Sequence, residues 1–373
     1  MSAATATRPA FYFHEQTLWF SAGQSALVVP VGGWVQPPAS GGHADSPEPK
    51  SRTVSLAAVS GLFDAYDRKV APEATREALL AIHPASYLDQ LKEVSDTGGG
   101  SLHPTAPFAA GSYEIALLSA GQAFAAVTDV AGGERRRAYA ITRPSGHHCL
   151  PDTPMGFCLL ANVAVAVRAA QAKGRKRIVV IDWDVHHGNG TEACFYDDPS
   201  VLTVSIHQES CFPPGQSGGA DARGAGAGEG FNLNVPLWPG SGHAVYMAAL
   251  EHIVLPAVAD FAPDMIIIVN GLDANAVDPL ARMLLHAGSF RAMTEAVSKL
   301  ADTVCEGRLA VVQEGGYSDA YVPFCAHAVM AGLAGADDPV EDPFMGIVSA
   351  QQPGADFNAA HIAALKQHHG WQD

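Results

Sequence analysis

Paired cysteines, long apolar runs and an excess of basic residues are all missing from this chain. Its six cysteines, Cys149, Cys158, Cys194, Cys211, Cys305 and Cys325, are scattered and form no C-x-x-C pair. That spacing argues against a disulfide scaffold or a structural zinc knuckle and fits a reducing compartment. No run approaches the roughly 18 consecutive apolar residues needed to span a bilayer. The first stretch, MSAATATRPAFYFHEQ, lacks the apolar core of a secretion signal. These absences predict a cytoplasmic protein with no membrane partner. Lysine and arginine number 22 against 38 acidic residues, a net charge of −16. Such a field repels phosphates, so no nucleic-acid partner is expected. A cationic ligand such as an amine is favoured, although acidity also serves plain solubility.

What is present is a 373-residue chain, 48% hydrophobic and 16% charged. It reads as globular and well buried rather than disordered, and α/β folds of this length often stay single. Residues 36–54, QPPASGGHADSPEPKSRTV, and residues 214–230, PGQSGGADARGAGAGEG, predict long loops. Elsewhere strands and helices alternate. Residues 137–144, 175–184, 200–207, 264–273 and 308–317 read as strands. Residues 157–174, 243–261 (with a kink at Pro256), 289–305 and a run from about 322 read as helices. Continuous Val/Ile/Leu strands alternating with helices predict an α/β fold: a mostly parallel central sheet with helices on both faces.

Four of these strands end in polar clusters. RP leads into Ser145-Gly146-His147-His148, VVIDWD into Val185-His186-His187-Gly188, IIIVNG into Leu272-Asp273, and AVVQ into Glu314-Gly315-Gly316-Tyr317. Open parallel sheets bind ligands at the carboxyl ends of their strands, so four such ends point to one site. Side chains of an extended segment alternate faces, which puts Asp182, Asp184 and His186 together. Asp184 and His186 make two arms for a divalent metal, with Asp273 the candidate third. Three protein ligands leave a position open, the catalytic pattern for zinc. Asp182 then supports from behind. His147 and His148 suit acid–base roles, with Asp182 and Asn189 as partners that fix their tautomers. Tyr317 suits donation to a developing oxyanion.

Taken together, RPSGHH (143–148), MGFC (155–158), DWDVHHGNGT (182–191), GLDA (271–274), DPLARM (278–283) and EGGY (314–317) strongly resemble the zinc-dependent histone deacetylase family. The likeness is greatest to its bacterial class II-type amidohydrolase branch, and it runs from about residue 80 to 330. The resemblance implies the arginase–deacetylase fold in one domain over 1–373, with an entrance-loop region (1–55) and a C-terminal helical tail (335–373). It implies one Zn²⁺ on Asp184, His186 and Asp273, a proton-transfer pair His147 and His148, and Tyr317 as oxyanion donor. Gly156, Phe157, Phe212, Leu280 and Gly316 would line a channel for an extended acyl amine. K⁺ or Na⁺ would bind at Asp182, Asp184, His186, Ser205 and Ile206, and again at Phe195, Asp198, Val201 and Phe231. The implied reaction is hydrolysis of acyl-lysine or of small acylated amines, polyamines and xenobiotic amides included. The implied assembly is a homo-oligomer, tetramer or dimer. The sequence departs from the family pattern at Ser145, Asn270 and Leu272, and the last two are expected to alter the pocket lining or the tuning of the metal. A binuclear manganese ureohydrolase is disfavoured because Gly188 stands where its last Asp would be. A cysteine hydrolase built on Cys149 beside His148 and a non-catalytic acyl-lysine binder are the remaining alternatives.

Overall fold

Strands buried on both faces must split their side chains between two cores. That split is what the computed structural model shows over the residues it describes, 8–23, 25–30, 35, 43–215, 218–354 and 356–370. Eight strands form one parallel sheet: β1 (Ala10–Tyr12), β2 (Asp67–Lys69), β3 (Arg137–Ile141), β4 (Ile178–Asp182), β5 (Val201–Gln208), β6 (Asn232–Leu237), β7 (Met265–Asn270) and β8 (Leu309–Gln313). Their order is β6-β5-β4-β7-β8-β3-β1-β2. In β4, Val179 and Ile181 join one apolar cluster while Ile178 and Val180 join the other.

The first cluster is closed by helices α1 (Glu48–Val59), α6 (His243–Phe261), α7 (Ala287–Val304) and α8 (Val322–Ala334). The second is closed by α2 (Ala85–Asp96), α3 (Ser112–Gly132) and α4 (Asn162–Ala172). The short α5 (Asn189–Phe195) follows β4, and α9 (Ala359–His368) lies in the tail. Two helices, α3 and α6, are long and apolar enough to cross a bilayer, against the expectation of no such run. In α3, 67% of that apolar stretch is buried within the fold, and in α6, 44%.

Other expectations are corrected. Residues 48–54, expected in a loop, are the start of α1, because prolines are tolerated in the first turn of a helix; Pro47 is its N-cap and Pro49 lies just inside. Residues 36–42 of that stretch lie outside the described residues. The helix expected from 157 begins at Asn162, because Gly156 and Phe157 hold left-handed φ values of 54° and 66°. Pro256 does not simply kink α6. A π-helical turn over Leu250–Val254 sits just ahead of it, absorbing the hydrogen bond that proline cannot make. Two strands, β1 and β2, come from before residue 80, so the core starts earlier than expected.

Candidate metal and acid–base site

The strand ends of β3, β4, β7 and β8 are neighbours in the sheet, so the four polar clusters meet. Beyond Asp182 the chain keeps its alternation. Trp183 and Val185 turn into the first core, and Asp182, Asp184 and His186 turn the other way. The His186 Nδ1 lies 3.2 Å from Asp184 Oδ1 and 3.1 Å from Asp273 Oδ2. Asp184 and Asp273 are fully buried. Tetrahedral zinc with bonds of about 2.0–2.2 Å sets its ligand atoms roughly 3.3 Å apart, so the triad fits that ion. The remaining carboxylate lone pairs accept backbone N–H groups: Asp184 from Gly315 at 2.9 Å and His186 at 3.0 Å, Asp273 from Val185 at 2.8 Å. Two glycines make room. A Cβ on Gly271 would meet Asp184 Oδ2 at 2.2 Å, and one on Gly315 would meet both carboxylates at 2.4 Å. Two buried carboxylates with one imidazole leave negative charge that a dication would balance.

The two adjacent histidines stack with ring centroids 3.9 Å apart but have different partners. His147 Nδ1–H donates to Asp182 at 3.0 Å, and its Nε2 faces Asp184 at 3.7 Å. Burial alone would lower its pKa; the carboxylates of Asp184 and Asp182 outweigh that and raise it to about 10. A dication on Asp184 would cancel the larger of those contributions. His148 Nδ1–H donates to Asn189 Oδ1 at 2.7 Å, leaving Nε2 as a free base. Burial, then the charges of His147 and His186, hold His148 well below the usual range. Asp182 and Asn189 thus stand where the sequence put them.

Behind the histidines lies Glu314, whose carboxylate accepts the N–H of Gly146 and, at 3.2 Å, of His147. Burial, set against His147, raises its pKa to about 7. The buried Lys50 donates to the Glu314 carbonyl. Asp278 accepts the N–H of Tyr317 at 2.8 Å and of Leu280 at 2.9 Å, tying the tyrosine loop to the channel wall. EGGY and DPLARM carry Glu314 and Asp278 with no role legible in the sequence, and Lys50 falls in a stretch that reads as a loop. A buried charge leaves no periodic signal.

A cavity of about 240 Å³ opens over this floor, lined by His148, His186 and Tyr317 below and by Gly156, Phe157, Phe212 and Leu280 above. His147 does not line it. Gly156 touches His148 so closely that a Cβ would lie 2.3 Å from its ring. Gly316 is not in the lining. With φ of 119° it turns the chain behind Tyr317, against Leu272 and Val322. Asn270 and Leu272 are also absent from the lining: Asn270 bridges the Trp183 indole at 2.8 Å and the Tyr139 hydroxyl at 3.1 Å, and Leu272 is core.

Ser205 pairs with Asp182 across β4 and β5, and Ile206 follows it. In the second expected cation site, the carbonyls of Phe195, Asp198 and Phe231 each accept one backbone N–H. Asp198 also pairs with Arg168 at 2.6 Å. Val201 opens β5 beside them. The Cys149 thiol points away from the site, toward Leu150, Thr153 and Tyr87, and burial pushes its pKa up. That placement removes the cysteine-hydrolase alternative.

A second polar network underpins the site. The Gly218 N–H donates to His187 Nδ1 at 3.0 Å, so the ring's Nε2–H faces Glu192 at 3.1 Å. The Gly218 carbonyl meets His207 Nε2 at 3.1 Å, and His207 Nδ1 meets the Ser205 hydroxyl at 2.9 Å. One residue of the glycine-rich loop, Gly218, is thus held through its N–H and its C=O between two buried imidazoles.

The family model for the histone deacetylase domain matches residues 43–333. A histone deacetylase-like amidohydrolase of Pseudomonas aeruginosa is 56% identical over 351 residues, covering 94% of this chain and 92% of that one. Histone deacetylase 8 of Arabidopsis thaliana is 38% identical over 300 residues, 78% of each chain. A crystal structure of the HDA15 HD domain superposes with a TM-score of 0.80 at 30% identity, covering 98% of this chain and 99% of that one. With its sheet order, its converging strand ends and these likenesses, the chain belongs to the histone deacetylase family.

Proposed function

We propose that this protein hydrolyses N-acyl amides at the cavity floor, releasing a carboxylate and a free amine. The observation that carries the reading is the triad of Asp184, His186 and Asp273, whose ligand atoms lie within 4.8 Å of one another beneath a cavity also lined by His148 and Tyr317. Zn²⁺ held by those three side chains would supply Lewis-acid polarisation of the amide carbonyl and acidify the attacking water. His148, facing the cavity with a free Nε2, accepts the water's proton and then delivers a proton to the departing amine, which is too basic to leave as an anion. His147 stays behind it, its Nδ1–H held by Asp182. The Tyr317 hydroxyl donates to the oxygen that gains charge. K⁺ or Na⁺ at the two sites around Ser205 and Phe231 would brace the strand ends. A cytoplasmic homo-oligomer, tetramer or dimer, is the form proposed for the cell.

The test is metal content by elemental analysis together with turnover of acetyl anilides before and after chelation. One zinc per chain, and activity that chelation abolishes and zinc restores, supports the reading. Full activity in metal-free protein sinks it.

A further inference from the structure

The chain's net charge favours a cationic substrate, but the cavity mouth does not. Above the floor the walls are Phe157 and Phe212, and the rim is Val28, Pro104, Pro107 and Leu280. Among the described residues lining the cavity, none is Asp, Glu, Lys or Arg. Of the polar groups around the mouth, Ser25 is buried, and Thr105, Cys211 and His43 each already hold a hydrogen bond. The Thr105 hydroxyl serves the Gly156 N–H at 3.0 Å and His103 Nδ1 at 2.9 Å. The Cys211 thiol meets the Leu280 carbonyl at 3.7 Å, and His43 Nδ1 accepts from Asp45 N–H at 3.1 Å. The nearby carboxylates do not reach the mouth: Asp278 is held by backbone N–H groups, and Asp45 is buried beside Arg143, Oδ1 to Nε at 3.4 Å, with its Oδ2 also shut away from the surface. Val28 is 44% exposed, flanked by Leu27 at 45% and Val29 at 50%, so the small β-hairpin that pairs Ser25–Ala26 with Val29–Pro30 extends the apolar rim outward.

We propose that the preferred substrates are small, uncharged acyl amides whose amine part ends in an apolar cap, alkyl or aryl, rather than polyamines or peptides. An ammonium drawn into this mouth would shed water and meet no counter-charge, which is unfavourable. The net charge of the molecule acts from outside and is screened beyond about 8 Å at physiological salt. It raises the cation's local concentration without stabilising it in the rim. A peptide would bring backbone N–H and C=O groups to a collar with few free partners, and unmatched polar groups cost binding. An apolar cap loses nothing there and gains by leaving water.

This inference rests on the amide-hydrolase reading, and the experiment separates the two. The zinc-loaded enzyme would be given N-acetylhexylamine, mono-acetylated diaminohexane and an acetyl-lysine peptide, at about 0.15 M salt where the Debye length is short. The neutral amide should exceed both others in kcat/KM by at least about tenfold, equivalent to about 1.4 kcal/mol. Equal or greater kcat/KM for the diamine or the peptide overturns the inference. Hydrolysis of none of the three instead removes the amide-hydrolase reading. Val28→Glu places a carboxylate on the rim and should narrow or invert the preference over the diamine. An unaltered ratio in a variant with native circular dichroism would overturn the role given to the rim.

Discussion

His147 and His148 share a peptide bond and almost nothing else. One is wedged between two aspartates, the other is held by a neutral amide, and only the second faces the cavity. In the proposed reaction His148, with its free Nε2 in the cavity, takes the proton, while His147 lies behind it against Asp182 and Asp184. Tyr317 adds the donor. Its ring is packed edge-on against Phe157 at 5.8 Å and His186 at 6.3 Å, which fixes where its hydroxyl can reach. Tyr317→Phe keeps that packing and removes only the donor. It should lower kcat by roughly 10²–10³ with little change in KM, the usual loss for one oxyanion contact. A loss below about tenfold would take Tyr317 out of that role. These residues were legible in the sequence because each ends a strand with a polar group that the strand does not need. Glu314 and Asp278 were not, since their work is to accept backbone N–H groups, Glu314 from Gly146 and His147 and Asp278 from Tyr317, that only the fold brings to them.

At the scale of elements, the inner strands β4, β7 and β8 were readable as unbroken apolar runs. The three-residue β1 and β2 are too short to show a period, and β6, NLNVPL, alternates polar residues and carries a proline that an edge strand tolerates. The glycine-rich loop read only as a loop. Folded, its Gly218 is clamped between His187 and His207, and the same loop region begins with the channel residue Phe212. A Cβ at Gly218 would lie 2.5 Å from the His187 ring and 2.9 Å from Asn234. Gly218→Ala should therefore displace the loop and raise KM several-fold while leaving kcat and the metal content near wild type. Unchanged KM would show that the clamp does not shape the channel. The tail offers a pH test. His369 donates to the Asn234 carbonyl at 3.0 Å, and burial lowers its pKa from 6.5 to about 4. The folded state thus prefers the neutral ring. Its contribution is complete above pH 6.5 and is lost as pH falls from 6.5 to 4. The protection factors for amide exchange in α9, which correct for the intrinsic fall in exchange rate with pH, should drop across that window, and His369→Gln should flatten the response. A wild-type response already flat would place the tail's anchorage elsewhere.

Across the whole molecule, chemistry and selectivity occupy different parts of the fold. The floor is built on the sheet, walled by glycines that admit no side chain. The rim is built on the β-hairpin near Val28 and on loops, where side chains are half exposed. Removing the metal would leave Asp184 and Asp273 buried without their counter-charge, so chelation should lower the melting temperature as well as activity. Metal at about 100 times its Kd is worth about 2.7 kcal/mol. An unchanged melting temperature after complete zinc removal would mean that the carboxylates are balanced by other groups.

The four strands that carry the site, β4, β7, β8 and β3, are consecutive in the middle of the sheet, with at least two strands on either side. The edges can fray without disturbing them, because a segment's local opening follows how few contacts hold it. Catalysis in this protein is therefore a reporter of the global transition. In a denaturant titration, the loss of activity on a small amide and the loss of far-ultraviolet signal should superimpose. The hairpin and the tail should open at lower denaturant and change selectivity first.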